Sequence, residues 1–257
     1  MKRSTLVVLL VFATACGDDA GVDEREPHDA AVEPERAQDV DAGLAPDAEA
    51  VDGALTTDAR EPEPAELPYA RALTRFTAGA NAGFGANKLP EVVLGPPKGG
   101  GTGTGSLDVL SLGTGGEIVL DFGEGGIVDG PGPDFIVFEN AFWPDGQAAS
   151  VFAEPAEVSV SNDDLSWSTF VCNPFGAGMG RYPGCAGWTP TLQYDAFALV
   201  PLDPALTGGD AFDLAALSLS SARYVRVRDL ATKGEGSTAG FDLDAVGVIH
   251  STTGSAP

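Results

Sequence analysis

The stretch Ile127 to Phe142, IVDGPGPDFIVFENAF, decides the fold of this 257-residue chain. Gly130, Pro131, Gly132 and Pro133 make a sharp connector, because Gly permits positive φ and Pro holds φ near the value a turn needs. A strand is predicted directly after it, over Asp134 to Asn140. Phe135, Val137 and Glu139 fall on one face of that strand and Ile136, Phe138 and Asn140 on the other, so both faces carry apolar side chains. Such a strand belongs inside a sheet, covered on both sides. The same stretch gathers Asp129, Asp134, Glu139 and Asn140 within a few residues of the turn, a local density of oxygen ligands that suits Ca²⁺.

Outward from this strand, the folded region reads as short strands separated by turn residues. LDVLSL (Leu107 to Leu112) and EIVLDF (Glu117 to Phe122) are strands joined by GTGG, a hairpin-like connector. Glu157 to Ser161 and Ser166 to Val171 flank Asn162-Asp163-Asp164-Leu165, a second hairpin. Tyr194 to Val200, Tyr224 to Asp229 and Phe241 to Ile249 are further strands, and Val92 to Leu94 is a short one. Ala72 to Thr77 suits a strand or a short helix, Leu202 to Gly209 a loop, and Phe212 to Leu217 a short, partly helical element. No long helical period occurs. The expectation is a single all-β domain over residues 67–257, an antiparallel sandwich of about eight or more strands.

The preceding residues read differently. Lys2 and Arg3, the apolar run Leu6 to Ala13, and Thr14-Ala15 before Cys16 have the layout of a secretory signal too short to span a bilayer. A Cys directly after small residues resembles a bacterial lipoprotein signal, in which Cys16 is diacylated and becomes the first mature residue. The resemblance implies export and a membrane partner through a lipid anchor, at the outer membrane or cell surface; an ordinary secretory signal over residues 1–16 is the alternative. Residues 17–66 are Asp, Glu, Ala and Pro with almost no aromatics, a composition that cannot bury enough apolar surface to offset ordering entropy. A disordered acidic tether is expected there. It carries 17 acidic and 3 basic residues, so about 14 of the formal net charge of −24 belongs to it. With 14 Lys and Arg against 38 Asp and Glu, the chain lacks the basic stripe that phosphate binding requires, so nucleic acid is excluded as a partner. Arg223, Arg226 and Arg228 are the one basic cluster and read as surface charges on a sheet.

With Cys16 assigned to lipid, Cys172 and Cys185 form an even pair around a loop-like segment in an exported protein, which predicts a disulfide. The only histidines are His28, in the tether, and His250, at a strand end, so a Ser-His-Asp or Cys-His arrangement lacks its base. An enzyme is not expected. Asp242 and Asp244 are two apart, which in an extended segment sends both carboxylates to one face. If buried, they need partners, and Ca²⁺ or backbone N–H groups are the two solutions. Trp143 and Trp188 lie in loops bearing Gly and Pro, where an indole can stack on a sugar ring or a partner surface; Arg181 and Tyr182, inside the disulfide loop, extend that surface. Trp167, at a strand start, is expected to pack. GGGTGTG (Gly99 to Gly105) precedes a β-like segment and supplies no Lys, so it reads as a flexible loop rather than a phosphate cradle.

A set of blocks carries a wider resemblance: Leu94-Gly95-Pro96-Pro97, SLGTGGEIVLDF (Ser111 to Phe122), Asp129 to Phe142, Tyr224-Val225-Arg226-Val227 and GFDLDAV (Gly240 to Val246). Together they resemble a family of secreted bacterial cell-surface proteins similar to the galactose-binding-like, or discoidin-like, jelly rolls. The resemblance implies an antiparallel jelly roll with binding loops at one end, and structural Ca²⁺ is frequent in related domains. The expected function is a surface-anchored, non-catalytic binding module for a glycan or another extracellular partner. A calcium-stabilised structural or adhesion protein and a secreted polysaccharide hydrolase are the alternatives.

Overall fold

The computed structural model describes residues 68–148, 150–176, 182–192, 202–231 and 240–252. The signal segment with Cys16, the acidic tether, Arg181 and the strand expected at 194–200 lie outside the described residues. Eleven strands are present among those described. They are β1 (Ala72–Thr77), β2 (Leu110–Ser111), β3 (Glu117–Asp121), β4 (Ile127–Val128), β5 (Phe135–Glu139), β6 (Ala156–Ser161), β7 (Ser168–Thr169), β8 (Asp210–Phe212), β9 (Ser221–Ala222), β10 (Tyr224–Asp229) and β11 (Asp242–Val248). Every pairing between them is antiparallel. One sheet has the order β1-β3-β10-β6-β7, the other β2-β11-β5-β8, and β4 and β9 form a separate ribbon. The fold is the all-β antiparallel sandwich that the strand pattern predicts.

β5 is the inner strand that its alternation requires, hydrogen-bonded to β11 on one side and β8 on the other. Phe135 and Val137 enter the main core with Leu120, Val158, Val160, Val225, Leu243 and Val246. Ile136 and Phe138 point the opposite way and are equally buried, with Ala245, Leu202 and Ile249 packed around them. The covering chain comes close at two glycines. A Cβ on Gly209 would stand 2.6 Å from Ile136, and one on Gly247 2.8 Å from Leu202, so a side chain at either position would have to displace its neighbour.

Three local expectations are corrected. GTGG does not close a hairpin: β2 belongs to one sheet and β3 to the other, so the connector carries the chain between layers. Gly113 and Gly115 adopt positive φ there, and the Gly113 carbonyl lies against Gly240, which leaves no room for a side chain at this crossing. Val92 and Val93 are buried in a 3-10 turn, Glu91–Val93, rather than a strand; the Pro90 and Gly95 that bound them leave too short a run to pair. Within residues 202–209, Pro204–Thr207 forms one α-helical turn, α1, whose Ala205 N–H donates to the Asp203 side chain. The hairpin turn at 162–165 and the strand reading of Ala72–Thr77 both hold.

Phe135 sits where the two layers meet, with ring contacts to Phe170 at 5.9 Å and Phe212 at 5.3 Å. Phe135→Ala should destabilise the domain by about 3–5 kcal/mol, because it leaves a cavity between rings that cannot close on one another. Urea unfolding should show a lower midpoint with an unchanged m-value.

Candidate functional site

The two ends of β5 carry different chemistry. Beside the turn at 130–133, Asp134 is fully buried. Its Oδ1 accepts from the Gly130 N–H at 2.8 Å and lies 2.9 Å from His250 Nδ1, and its Oδ2 accepts from the Leu214 N–H at 2.7 Å. One carboxylate thus ties the turn, the segment after β8 and the chain after β11 together. Asp129, exposed, and Asp213, half-buried, bring carboxylate oxygens to within 4.8 Å of it and of each other. Asp213 also accepts from the Ala215 N–H at 2.8 Å, capping the 3-10 turn Leu214–Leu217. Asp129 and Asp134 therefore stand together as the sequence predicts, and Asp213 joins them from far along the chain.

Glu139 does not join that group. A five-residue strand rising ~3.3 Å per residue puts its two ends roughly 13 Å apart, so Glu139 and Asn140 reach the opposite end of the sandwich. There Glu139, only 1 % exposed, has no hydrogen-bond partner on either carboxylate oxygen. Burial, and then the nearby charges of Asp242, Glu154 and Asp210, push its carboxyl well above the usual range. The Asp242 N–H opposes this push as the weakest of these influences, and it does not reach hydrogen-bond geometry. Asp242 lies on β11, the neighbouring strand: Oδ2 accepts a 3.4 Å contact from Asn140 Nδ2, and Oδ1 is buried without a partner. Burial pushes Asp242 up to about 6.

Asp242 and Asp244 do not act as a pair. The pairing of β11 with β5 slips by one residue between Leu243 and Ala245, a β-bulge that gives the two acids different surroundings. Asp244 accepts from the Lys98 N–H at 2.9 and 3.1 Å, and burial pushes it up to about 7. This is the backbone N–H solution. Asp229 takes the same one, with Gly115, Ala231 and Phe241 as donors.

The third feature is a cleft of about 340 Å³. The strand orders leave β7 at the edge of one sheet and β8 at the edge of the other, and the cleft opens between these edges. Phe170 and Phe212, with ring centroids 4.9 Å apart, line it together with Cys185, Trp188, Asp213 and Leu217. Cys185 is disulfide-bonded to Cys172, as the spacing predicts, which fixes this wall. Val171, also lining the cleft, is 89 % exposed, so an apolar side chain stands open to solvent at its edge. Trp188 is held by its backbone. The buried Asp210 carboxylate accepts from the N–H groups of Gly187 at 2.6 Å and Trp188 at 3.0 Å and from the Thr189 hydroxyl at 2.6 Å.

Trp143 and Tyr182, two other expected ligand contacts, do not line this cleft. Trp143 is half-buried, its N–H donating 2.7 Å to the Thr102 carbonyl of the Gly-rich loop. Tyr182 is half-buried and its carbonyl accepts from the Cys185 N–H at 3.0 Å, but it does not line the cleft. Trp167 packs as expected, with the Arg226 guanidinium 4.5 Å from its ring. Arg223 and Arg228 pair with Asp121 and Glu157, so the basic cluster is largely neutralised on the sheet. Asp210, Asp213, Phe170 and Phe212 escape a reading of the sequence. Asp210 and Asp213 flank a short β-like run, a pattern that marks a strand end but not its neighbours.

No protein-family model matches the chain, and no curated protein matches it.

The buried acids make stability sensitive to substitution and to pH. Asp134→Ala strands three partners and should cost about 2–4 kcal/mol, whereas the exposed Asp129→Ala should change stability by less than ~0.5 kcal/mol, both read by chemical denaturation. Asp210 is pushed up to about 6 by burial, against an ordinary value of 3.8. A raised folded-state value makes its contribution to stability fully present below about pH 3.8 and lost as pH rises through about 6. Asp210→Asn should flatten that pH slope, by on the order of 3 kcal/mol in total.

Proposed function

We propose that the chain is an exported, surface-anchored, non-catalytic binding module, and that its ligand is a glycan taken in the cleft between β7 and β8. The observation that carries this reading is the fixed backbone of Trp188 in a concave site floored by Phe170 and Phe212. A sugar ring presents a face of C–H groups that stacks on an aromatic ring, and its hydroxyls donate to carboxylates such as Asp213. The Cys172–Cys185 bond and the Asp210 contacts hold the wall and the Trp188 backbone before any ligand arrives, which lowers the ordering cost of binding.

Export and anchoring rest on the segment from Met1 to Cys16, with the acidic residues 17–66 as the spacer between membrane and domain. The likeness of the sequence blocks to galactose-binding-like jelly rolls agrees with a glycan ligand. A non-catalytic role is preferred because glycoside hydrolysis uses two carboxylates facing the substrate, and of the two lining the cleft Asp210 is buried and committed to the Gly187, Trp188 and Thr189 donors.

Glycan-array screening of the full chain, followed by calorimetry, tests the reading. A saccharide ligand is expected. Trp188→Ala should weaken it at least tenfold with an unchanged unfolding midpoint, while Trp143→Ala leaves it unaltered. Absence of saccharide binding, or equal binding by Trp188→Ala, would overturn the proposal. Polysaccharide cleavage abolished by Asp213→Asn would replace it with a hydrolase.

A further inference from the structure

We infer that the saccharide taken by the cleft between β7 and β8 carries a protonated amine, and that the Asp213 carboxylate receives it. This rests on the reading of the cleft as a glycan site and names the class of glycan.

Two carboxylates line the cleft, Asp210 and Asp213, and no Lys, Arg or His does so among the described residues. Both acids arrive on one short run of chain: β8 begins at Asp210, and Asp213 follows its last residue, Phe212. They differ in what they have left to offer. Asp210 is buried, and its two oxygens are taken by the Gly187 and Trp188 N–H groups and the Thr189 hydroxyl. Asp213 is half-buried, and its Oδ1 accepts from the Ala215 N–H at 2.8 Å. Its Oδ2 accepts no hydrogen bond among the described residues, so one oxygen remains for a ligand.

The charge around Asp213 has little to oppose it. Asp129 and Asp134 bring carboxylate oxygens to within 4.8 Å of its own, and among the described residues the one ion-pair partner in this group is His250, on Asp134. Basic side chains are committed to other acids. Arg75 pairs with Asp164, Arg223 with Asp121, Arg226 with Glu117, Arg228 with Glu157, and Lys88 and Lys98 with Asp108. Carboxylates in a concave site with apolar walls focus a negative potential, which draws in cations and repels anions. An ammonium group on Asp213 makes a charge-assisted hydrogen bond, roughly twice as strong as the bond between neutral groups.

The apolar walls select the rest of the molecule. Trp188, Phe170 and Phe212 line the cleft beside Asp213, and an aromatic ring attracts a cation within about 6 Å of its centroid. The same rings stack on the C–H face of a sugar. A small inorganic cation leaves that apolar surface uncovered, and a neutral sugar brings no charge to Asp213. An amino sugar answers both walls at once. A uronic or sulfated sugar brings its negative charge into the field of Asp129, Asp134 and Asp213, and this like-charge contact selects against it.

The test is calorimetry on the full chain at about pH 6.5, where an amine of the α-amino class, with a pKa of about 7.7–8.0, keeps its proton. The probes are a glucosamine trisaccharide, its N-acetylated counterpart and a galacturonate trisaccharide. The glucosamine compound should bind about tenfold or more tightly than the N-acetylated one, and added salt should weaken it alone. The galacturonate compound should not bind. The acidic residues 17–66 attract any cation, so the contribution of the cleft is read from variants that leave them unchanged. Asp213→Asn keeps an oxygen for the Ala215 N–H, and should bring the two affinities to within about threefold of each other at an unaltered unfolding midpoint. A preference for either of the other probes, array hits confined to neutral or acidic saccharides, or an amine preference that survives Asp213→Asn overturns the assignment and leaves the cleft a site for another class of glycan. Binding of no saccharide at all overturns the glycan reading and this inference with it. Should Asp213→Asn fail to fold, Trp188→Ala decides: an unchanged affinity for the glucosamine compound places its binding outside the cleft and overturns the assignment.

Discussion

A carboxylate taken out of water has to be given donors or a counter-charge, and much of this molecule is arranged around that requirement. Asp134 shows the first solution in full. Its two oxygens gather the Gly130 and Leu214 N–H groups and the His250 ring, so three segments distant in sequence converge on one side chain. Asp229 does the same where the connector after β2, the end of β10 and the start of β11 meet. These acids are cross-links between loops, placed at the strand ends where backbone N–H groups have left the sheet ladder. Glu139 occupies the same kind of place without a hydrogen bond on either oxygen, and this contrast within a single domain sets it apart.

The sheets themselves depend on β5. Apolar side chains on both of its faces can be buried only if a second layer covers the strand, and the segment at 202–209 contributes to that layer through Leu202 and the close approach at Gly209. The same segment leads into β8, which delivers Asp210 and Phe212 to the sandwich edge. Covering the outer face of β5 and building the cleft are thus one structural event. The chain that shields Phe138 is the chain that places the groups holding and facing Trp188.

The cleft and the acid end share this construction. Asp210 fixes the Trp188 backbone on one side and contributes to the negative field around Glu139 on the other. Thr191, a few residues after Trp188, reaches the Glu139 carbonyl. The two locations are thus joined by a short run of chain that is tied by hydrogen bonds at both ends.

Much of the fold was legible in the sequence. The alternation from Asp134 to Asn140 determined an inner strand, the residues at 162–165 a hairpin, and the loop cysteines a disulfide, because side-chain periodicity and turn chemistry act over a few residues. The same local rules failed at GTGG, where a sequence suited to a hairpin instead passes between sheets. They also failed at the acids: proximity in sequence grouped Glu139 with Asp129, although an extended strand carries its ends apart. Only the tertiary structure decided which carboxylates receive donors, that Asp213 joins Asp134, and that Phe170 and Phe212 meet beside Trp188. Those outcomes depend on strand order across the two sheets, which is set by contacts between segments far apart in the chain.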